Sequence, residues 1–580
     1  MRLTLVRSFP FAVPLMLLGA CALVGEPQGS TRATDPSSRP GAPAERTLTI
    51  AIEGEPTSIA AVYPGIAGRS TAFQVRSFNA FLDLVDGRGD PLPYLAEAMP
   101  VLGTDTWQVF PDGRMQTTYR LRPNLTWHDG NPFSAEDVAF AWGTINIPEA
   151  GFGLFAAAPP FRHMEDVSAT DSRTVVIRWG EPYPNASLLQ SGGSRMGLAP
   201  LPRHILQRYV QEGNFEALTN HPYWTREFIG LGPYRLDRWE LGTFMEGVAF
   251  DGHVLGRPKI SRVRFLFFGE PNAILAAMRA GAIDVAADAL TFPLGLELKR
   301  DWAATNAGRI LIAYTSLRSV IFQFRPGLVT PPSLLDVRVR RALAHAVDRA
   351  SLGEALWASE VQMIETIFPP SLSYYATIDR SIAKYPYDLR ASERLMGEAG
   401  FTKGSDGFYF GPSAGRFTAE VKGGEDLSEH PILAGGWRQA GFDVHEAILS
   451  RSMAQDPEAR HTFPSMSTMA SGAAETNWMA VFTSAQIGSA ENRWRGSNRS
   501  GWSSPDFDRL VEAFNTTLDP DQRIRQRAEI ARMFSEELPV IMLSFNPNVT
   551  AHIIALRGPT SAIIGTTGLS GWNIHEWELP

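Results

Sequence analysis

The chain has 580 residues, a formal net charge of −8, 44% hydrophobic and 20% charged residues, and one cysteine. That length exceeds what one hydrophobic core fills, roughly 250–300 residues, so two or three lobes are expected. Mild acidity excludes a nucleic-acid binder with its basic stripe, and a single thiol excludes an internal disulfide framework or a cysteine-based zinc site.

Arg2 and Arg7 precede an apolar stretch, Phe9 to Leu18, and then Gly19-Ala20. A basic start, a short apolar run and small residues describe a secretory signal over residues 1–20, too short for a membrane span of about 20 residues. Leu18-Gly19-Ala20-Cys21 has the small-small-Cys form of a bacterial lipobox. By that resemblance, cleavage falls before Cys21 and its thiol carries the lipid. Residues 21–46 are Gly/Pro/Ser-rich and read as a flexible tether.

Order is expected from TLTIAIEGEP (47–56), where Leu48, Ile50 and Ile52 alternate as in a strand. FNAFLDLVD (78–86) suits a short helix or strand, and PYLAEAMP (93–100) a compact segment closed by Pro100. MQTTYRLRPNLTW (115–127) alternates again. Ser134 and Asp137 then cap a helix carrying Val138, Ala141 and Trp142 on one face. TVVIRW is a strand, GLGPYRLDRWELGT a turn and strand, and VRFLFF a buried strand. PNAILAAMRAGAID is a helix ended by Gly281. SVIFQF (319–324) is a strand, after which Asp336 caps a helix with Val339, Leu343, Ala346 and Val347 on one side. YDLRASERLMGEAGF is a helix with Gly400 just beyond its end. Residues 504–543 read as helix, Asp519-Pro520 turn, second helix, and a strand over Val540–Leu543. Strands and helices without a strict βαβ rhythm predict α/β lobes with mixed sheets. No internal repeat is present.

Several motifs invite chemistry and fail on context. Trp127-His128-Asp129-Gly130 offers a His and an Asp, but Asp-Gly is a turn signal and leads into the capped helix. Gly230-Leu231-Gly232 is half of a dinucleotide fingerprint, with Arg235 at the third glycine position and a strand following instead of a helix. Gly411-Pro412-Ser413-Ala414-Gly415 spells a nucleophile elbow, yet strand-like stretches flank it on both sides, where an elbow needs a helix after the turn. The eleven histidines are scattered, so no protein-held metal is expected.

Seven stretches in fixed order resemble the solute-binding proteins of ABC importers that include oligopeptide- and dipeptide-binding proteins. They are YRLRPNLTWHDGNPFSAEDVAFAW, PYLAEAMP, GLGPYRL, MRAGAIDV, VRRALAHAVDR, YDLRASERLMGEAG and SPDFDRLV. The resemblance runs from about residue 48 to the C-terminus. It implies a two-lobed periplasmic-binding-protein α/β fold with mixed sheets, an additional inserted domain and a hinge between the lobes. Its segments would be 47–90 (lobe I), 91–224 (inserted domain II), 225–312 (lobe I again), 313–545 (lobe III) and 546–580 (lobe I). A ligand would sit between lobes I and III, which close on it.

In peptide binders of this family, the region matching residues 467–502 holds an aromatic residue and then an aspartate that pairs with the peptide ammonium. Here those positions read Met469-Ala470-Ser471-Gly472, without either residue. The same region offers Trp478, Arg493, Trp494, Asn498 and Trp502 as ligand contacts. The loop after the first strand offers Glu55, Ser58 and Tyr63. The implied role is a lipid-anchored receptor, exported to the periplasm or cell surface. It would capture a small solute, peptide or peptide-like, and deliver it to an ABC permease and its ATPase. It would be a monomer, without cofactor, nucleic acid or covalent chemistry. Two rivals are an exported serine hydrolase using Ser413 and a receptor feeding a sensor.

Overall fold

The computed structural model describes residues 47–580 except 65–71, 190–196, 371, 412–414, 425–427, 451, 473–474 and 561–570. Cys21 and Ser413 lie outside the described residues. The principal strands in chain order are β1 (Thr47–Glu53), β2 (Trp107–Val109), β3 (Met115–Arg120), β4 (Met164–Asp171), β5 (Thr174–Trp179), β6 (Tyr234–Glu240) and β7 (Phe244–Ala249). They continue with β8 (Arg262–Phe268), β9 (Val285–Leu290), β10 (Gly308–Phe322), β11 (Thr418–Gly424), β12 (Asp443–Leu449), β13 (Met466–Gly472) and β14 (Val540–Ile553). A ten-stranded sheet has the order β12-β11-β13-β10-β14-β9-β1-β8-β7-β6, and a four-stranded antiparallel sheet the order β2-β3-β5-β4.

The helices that position the site are α1 (Ala72–Phe78), α2 (Ala135–Ile145), α3 (Pro271–Arg279), α4 (Phe292–Thr305), α5 (Val337–His345), α6 (Arg349–Trp357), α7 (Leu389–Glu398), α8 (Glu429–Ala440), α9 (Glu475–Val481), α10 (Pro505–Thr516) and α11 (Pro520–Glu537). Four of these helices start after an aspartate. Asp336, Asp348, Asp388 and Asp519 accept backbone N–H groups of Arg338, Ser351, Ala391 and Gln522 at 2.8, 3.0, 3.0 and 2.6 Å. Such caps stabilise a helix by about 1 kcal/mol each. At α2, the Asp137 carboxylate accepts the Ser134 N–H at 2.9 Å. Val138 and Ala141 of α2 are buried, and Trp142 is only half-buried.

Two strands are longer than their sequence suggests. The stretch read as a strand from Ser319 begins at Gly308, and the one read over Val540–Leu543 runs on to Ile553. β10 and β14 pair along nearly their whole length, from Gly308 opposite Ile553 to Ile321 opposite Val540. At one end β14 also pairs with β9, and at the other end β10 also pairs with β13. The sheet therefore has two halves that share these two strands. Side chains of β10 alternate between cores, as strand geometry requires. Val320 and Phe322 join Leu343, Trp437 and Val421 on one face. Leu317 and Ile321 join Phe545, Phe534 and Trp502 on the other.

The four-stranded sheet shares one apolar cluster with the first half, running from Leu48 through Tyr119 and Trp127 to Trp577. The stretch VRFLFF, expected to be buried, is buried only at Val263 and Phe265. Leu266, Phe267 and Phe268 are half-exposed because β8 ends at an open edge of the sheet.

Candidate functional site

That open edge follows from strand direction. β1, β8 and β9 are parallel and end at Glu53, Phe268 and Leu290. In the other half, β11 runs parallel to both β12 and β13, and the three end at Gly424, Leu449 and Gly472. Leu290 and Ile312 both lie opposite Val549, and Gly472 lies opposite Ser316. Because β13 is antiparallel to β10, the carboxyl ends of the two halves point at each other. The gap is bridged by Ala313–Ser316 and Asn546–Asn548. The ladder shifts register there, between Tyr314 and Ser316. Crevices outside the carboxyl ends of strands are where open α/β sheets bind ligands.

The loop after β1 carries three predicted residues, and each has an internal partner. The Glu55 carboxylate accepts Trp239 Nε1–H at 2.7 Å and the Gly242 N–H at 2.9 Å, tying the loop to the β6–β7 hairpin. Ser58 is buried and donates to the Trp224 carbonyl at 2.5 Å. Tyr63 is buried edge-on against Phe155, ring centroids 6.3 Å apart.

The five predicted residues after β13 do not converge. Trp478 is buried against Phe534 at 4.5 Å, and it lines an internal cavity of about 30 Å³ with Arg349 and Glu365. A space of that size holds one or two waters. Trp502 is buried in the same core and donates from Nε1 to Glu537 at 3.2 Å. Asn498 is fully buried. Its amide donates to the carbonyls of Phe482, Thr483 and Trp502, and its oxygen accepts from Ser500 and Gly501. Arg493 is exposed, while Trp494 is half-buried at 5.8 Å from the His461 ring.

The Trp127–Gly130 turn is a joint. His128 is buried; its Nδ1 accepts the Gly230 N–H at 3.1 Å and its Nε2–H donates to the Gly232 carbonyl at 3.0 Å. That pattern fixes the neutral ring. Burial pushes its pKa down to about 4. Asp129 instead faces His204 at 2.8 Å and Asn131. Gly230 and Gly232 lie under the end of α1, where a Cβ on Gly232 would sit 2.4 Å from the Phe78 carbonyl carbon. Glycine is required there by close approach, and not by phosphate binding.

A charged cluster unmarked in the sequence sits at the edge itself. Arg318 of β10 lies opposite Ala470 of β13 and Ser544 of β14. Its Nη1 donates to Glu429 at 2.6 Å, its Nε donates to Asn546 at 2.9 Å, and its guanidinium lies 5.1 Å from the Trp357 ring centre. Glu429 is the first residue of α8 and is fully buried. Among the described residues no group of three or more His, Cys, Asp or Glu could hold a metal ion. Among them, too, no helix is long and apolar enough to cross a membrane.

Two sheet halves with facing carboxyl ends and two shared strands define a two-lobed binding protein. The chain belongs to the bacterial extracellular solute-binding proteins, family 5, whose model, described as the family's middle part, matches residues 97–490. A Brucella ovis protein provisionally named an ABC transporter peptide-binding protein is 26% identical over 305 residues, 51% of this chain. The chain spans 51% of that relative's length. The dipeptide-binding protein of Escherichia coli is 21% identical over 528 residues, 86% of this chain and 89% of that one. Among solved structures, NikZ from Campylobacter jejuni, in complex with Ni(L-His), superposes with a TM-score of 0.69 at 22% identity, covering 92% of this chain and 99% of that one. At that identity the likeness carries the fold alone.

Proposed function

We propose that this protein is the solute-capturing receptor of an ABC importer, exported and held at the membrane by lipid on Cys21. One observation supports this best: two sheet halves, joined through two shared strands, present their strand ends to one crevice. That arrangement suits capture by closure, which needs differential affinity for the closed state and no covalent step. The similarity to proteins named for peptide or dipeptide binding supports a peptide or peptide-like solute. In this reading lobe I comprises residues 47–90, 225–312 and 546–580, domain II residues 91–224, and lobe III residues 313–545. The ATPase-coupled permease is the receiving partner. The hydrolase alternative has little support, since Gly411 and Gly415, flanking Ser413, pair as antiparallel strands.

The test is native mass spectrometry of the gently purified mature chain, followed by small-angle scattering with and without the solute it carries. The expected result is a carried small molecule and a smaller radius of gyration when it is bound. A chain that binds nothing and never compacts overturns the proposal.

A further inference from the structure

We infer that Arg318, beside the start of helix α8, is the anchor for an anionic group on the captured solute; this rests on the receptor reading above. The guanidinium is already oriented by three contacts, to Glu429, Asn546 and the face of Trp357. A guanidinium has five N–H donors in a fixed fork. Nε and Nη1 are engaged, and Nη2 has no protein acceptor among the described residues. The Arg318 side chain keeps 13% exposure, while the Glu429 side chain keeps none. Ala470, directly opposite on β13, is exposed and leaves room beside that edge.

Glu429 does not cancel this preference. Its charge sits at the N-terminus of a twelve-residue helix, whose dipole offsets it. The helix's first residue is preceded by Ser428, which makes no side-chain cap bond. A guanidinium held at Nε and Nη1, with Nη2 open, offers a carboxylate or phosphate a charge-assisted hydrogen bond from a fixed direction. Lysine in the same place would offer a point charge without that geometry.

The test uses the whole mature chain and the solute that purifies with it, released by acid and identified by mass spectrometry. The expected solute carries a carboxylate or phosphate. Arg318→Gln is expected to lower its occupancy by about tenfold to a hundredfold, the scale of a charged hydrogen-bonded pair. Because that variant leaves Glu429 buried without its cation, Ala470→Leu is the companion. It fills the exposed space beside the guanidinium, and it is expected to lose the solute while keeping the melting temperature of the solute-free wild-type chain. A carried solute without an anionic group overturns the inference and leaves the receptor reading standing. So does wild-type occupancy in both variants. If the wild-type chain emerges empty, melting shifts are read against glutarate, inorganic phosphate and a set of dipeptides and their amides. A response to neutral or cationic solutes alone overturns the inference only. No response to any of them overturns both readings.

Discussion

His128 makes a quantitative prediction about acid stability. The folded protein holds the ring neutral, between the Gly230 N–H and the Gly232 carbonyl, with Phe250 edge-on at 4.9 Å. Burial is the main cause of the fall from 6.5 to about 4; Arg235 and His253 add to it, while the Gly232 carbonyl and Asp129 oppose it. In the unfolded chain the ring titrates near 6.5. Between these values the unfolded state binds the extra proton, so stability is present above pH 6.5 and is lost as pH falls toward 4. With these two pKa values, lowering the pH from 7 to 5 removes about 2 kcal/mol, and about 3 kcal/mol is lost once pH is below 4. The perturbation that isolates this is His128→Gln, which keeps a donor near Nε2 and does not titrate. Urea unfolding at pH 7, 6 and 5 should show the wild-type protein losing about 2 kcal/mol more than the variant between pH 7 and 5. His253, also lowered to about 4 mainly by burial, contributes equally to both proteins and leaves the difference intact. Parallel pH profiles would refute the reasoning.

Three further outcomes are expected. Gly232→Ala places a Cβ 2.4 Å from the Phe78 carbonyl carbon and 2.5 Å from the Asn79 nitrogen. Denaturant unfolding should show a loss of about 2–4 kcal/mol, since both obstacles are backbone. Asn498→Ala removes the hub of the 484–501 loop, costing about 2–3 kcal/mol, and hydrogen exchange should quicken in that loop before elsewhere. Cys21→Ser should move the protein from the membrane fraction to the soluble fraction while solute capture in vitro stays unchanged; unaltered fractionation refutes lipidation.

Much of the fold was legible where local chemistry decides it. Alternating Leu48, Ile50 and Ile52 gave β1, Asp336 gave the start of α5, and the Asp519-Pro520 turn separated α10 from α11. The two shared strands were legible only in part. The expected strand stopped at Leu543, short of Asn546, Pro547 and Asn548, whose types are depleted in strands. In the structure Pro547 lies opposite Tyr314, beside the register shift, where the ladder is already interrupted. Arg318 falls just before the expected strand SVIFQF, and its partner Glu429 is 111 residues away in the chain. No local pattern connects them. The sequence did hint at Trp478 and Asn498, but their types suit a pocket and a core equally, and burial places both inside.

The shared strands also bear on how the protein would close. On one side of the crossing, Ile310 and Ile312 pack with Phe292, Leu298 and Val549. On the other, β10 serves two separate cores. Motion confined to Ala313–Ser316 and the facing Asn546–Asn548 would leave the two cores on either face of β10 intact. Outside those strands, the halves share one apolar cluster, in which Trp357 and Val361 join Ile274, Phe292 and Leu298, with Phe292 edge-on to Trp357 at 5.3 Å, and Lys299 pairs with Glu360 at 2.7 Å. The ion pair is exposed, 51% and 39%, so it contributes at most about 1 kcal/mol. An aromatic edge contact adds about 0.5–1.5 kcal/mol. Arg318 sits two residues beyond the Ala313–Ser316 segment that would bend, just past Leu317. A ligand group held there acts on the lobe at the point nearest its pivot, so its loss should weaken capture without altering the stability of either core.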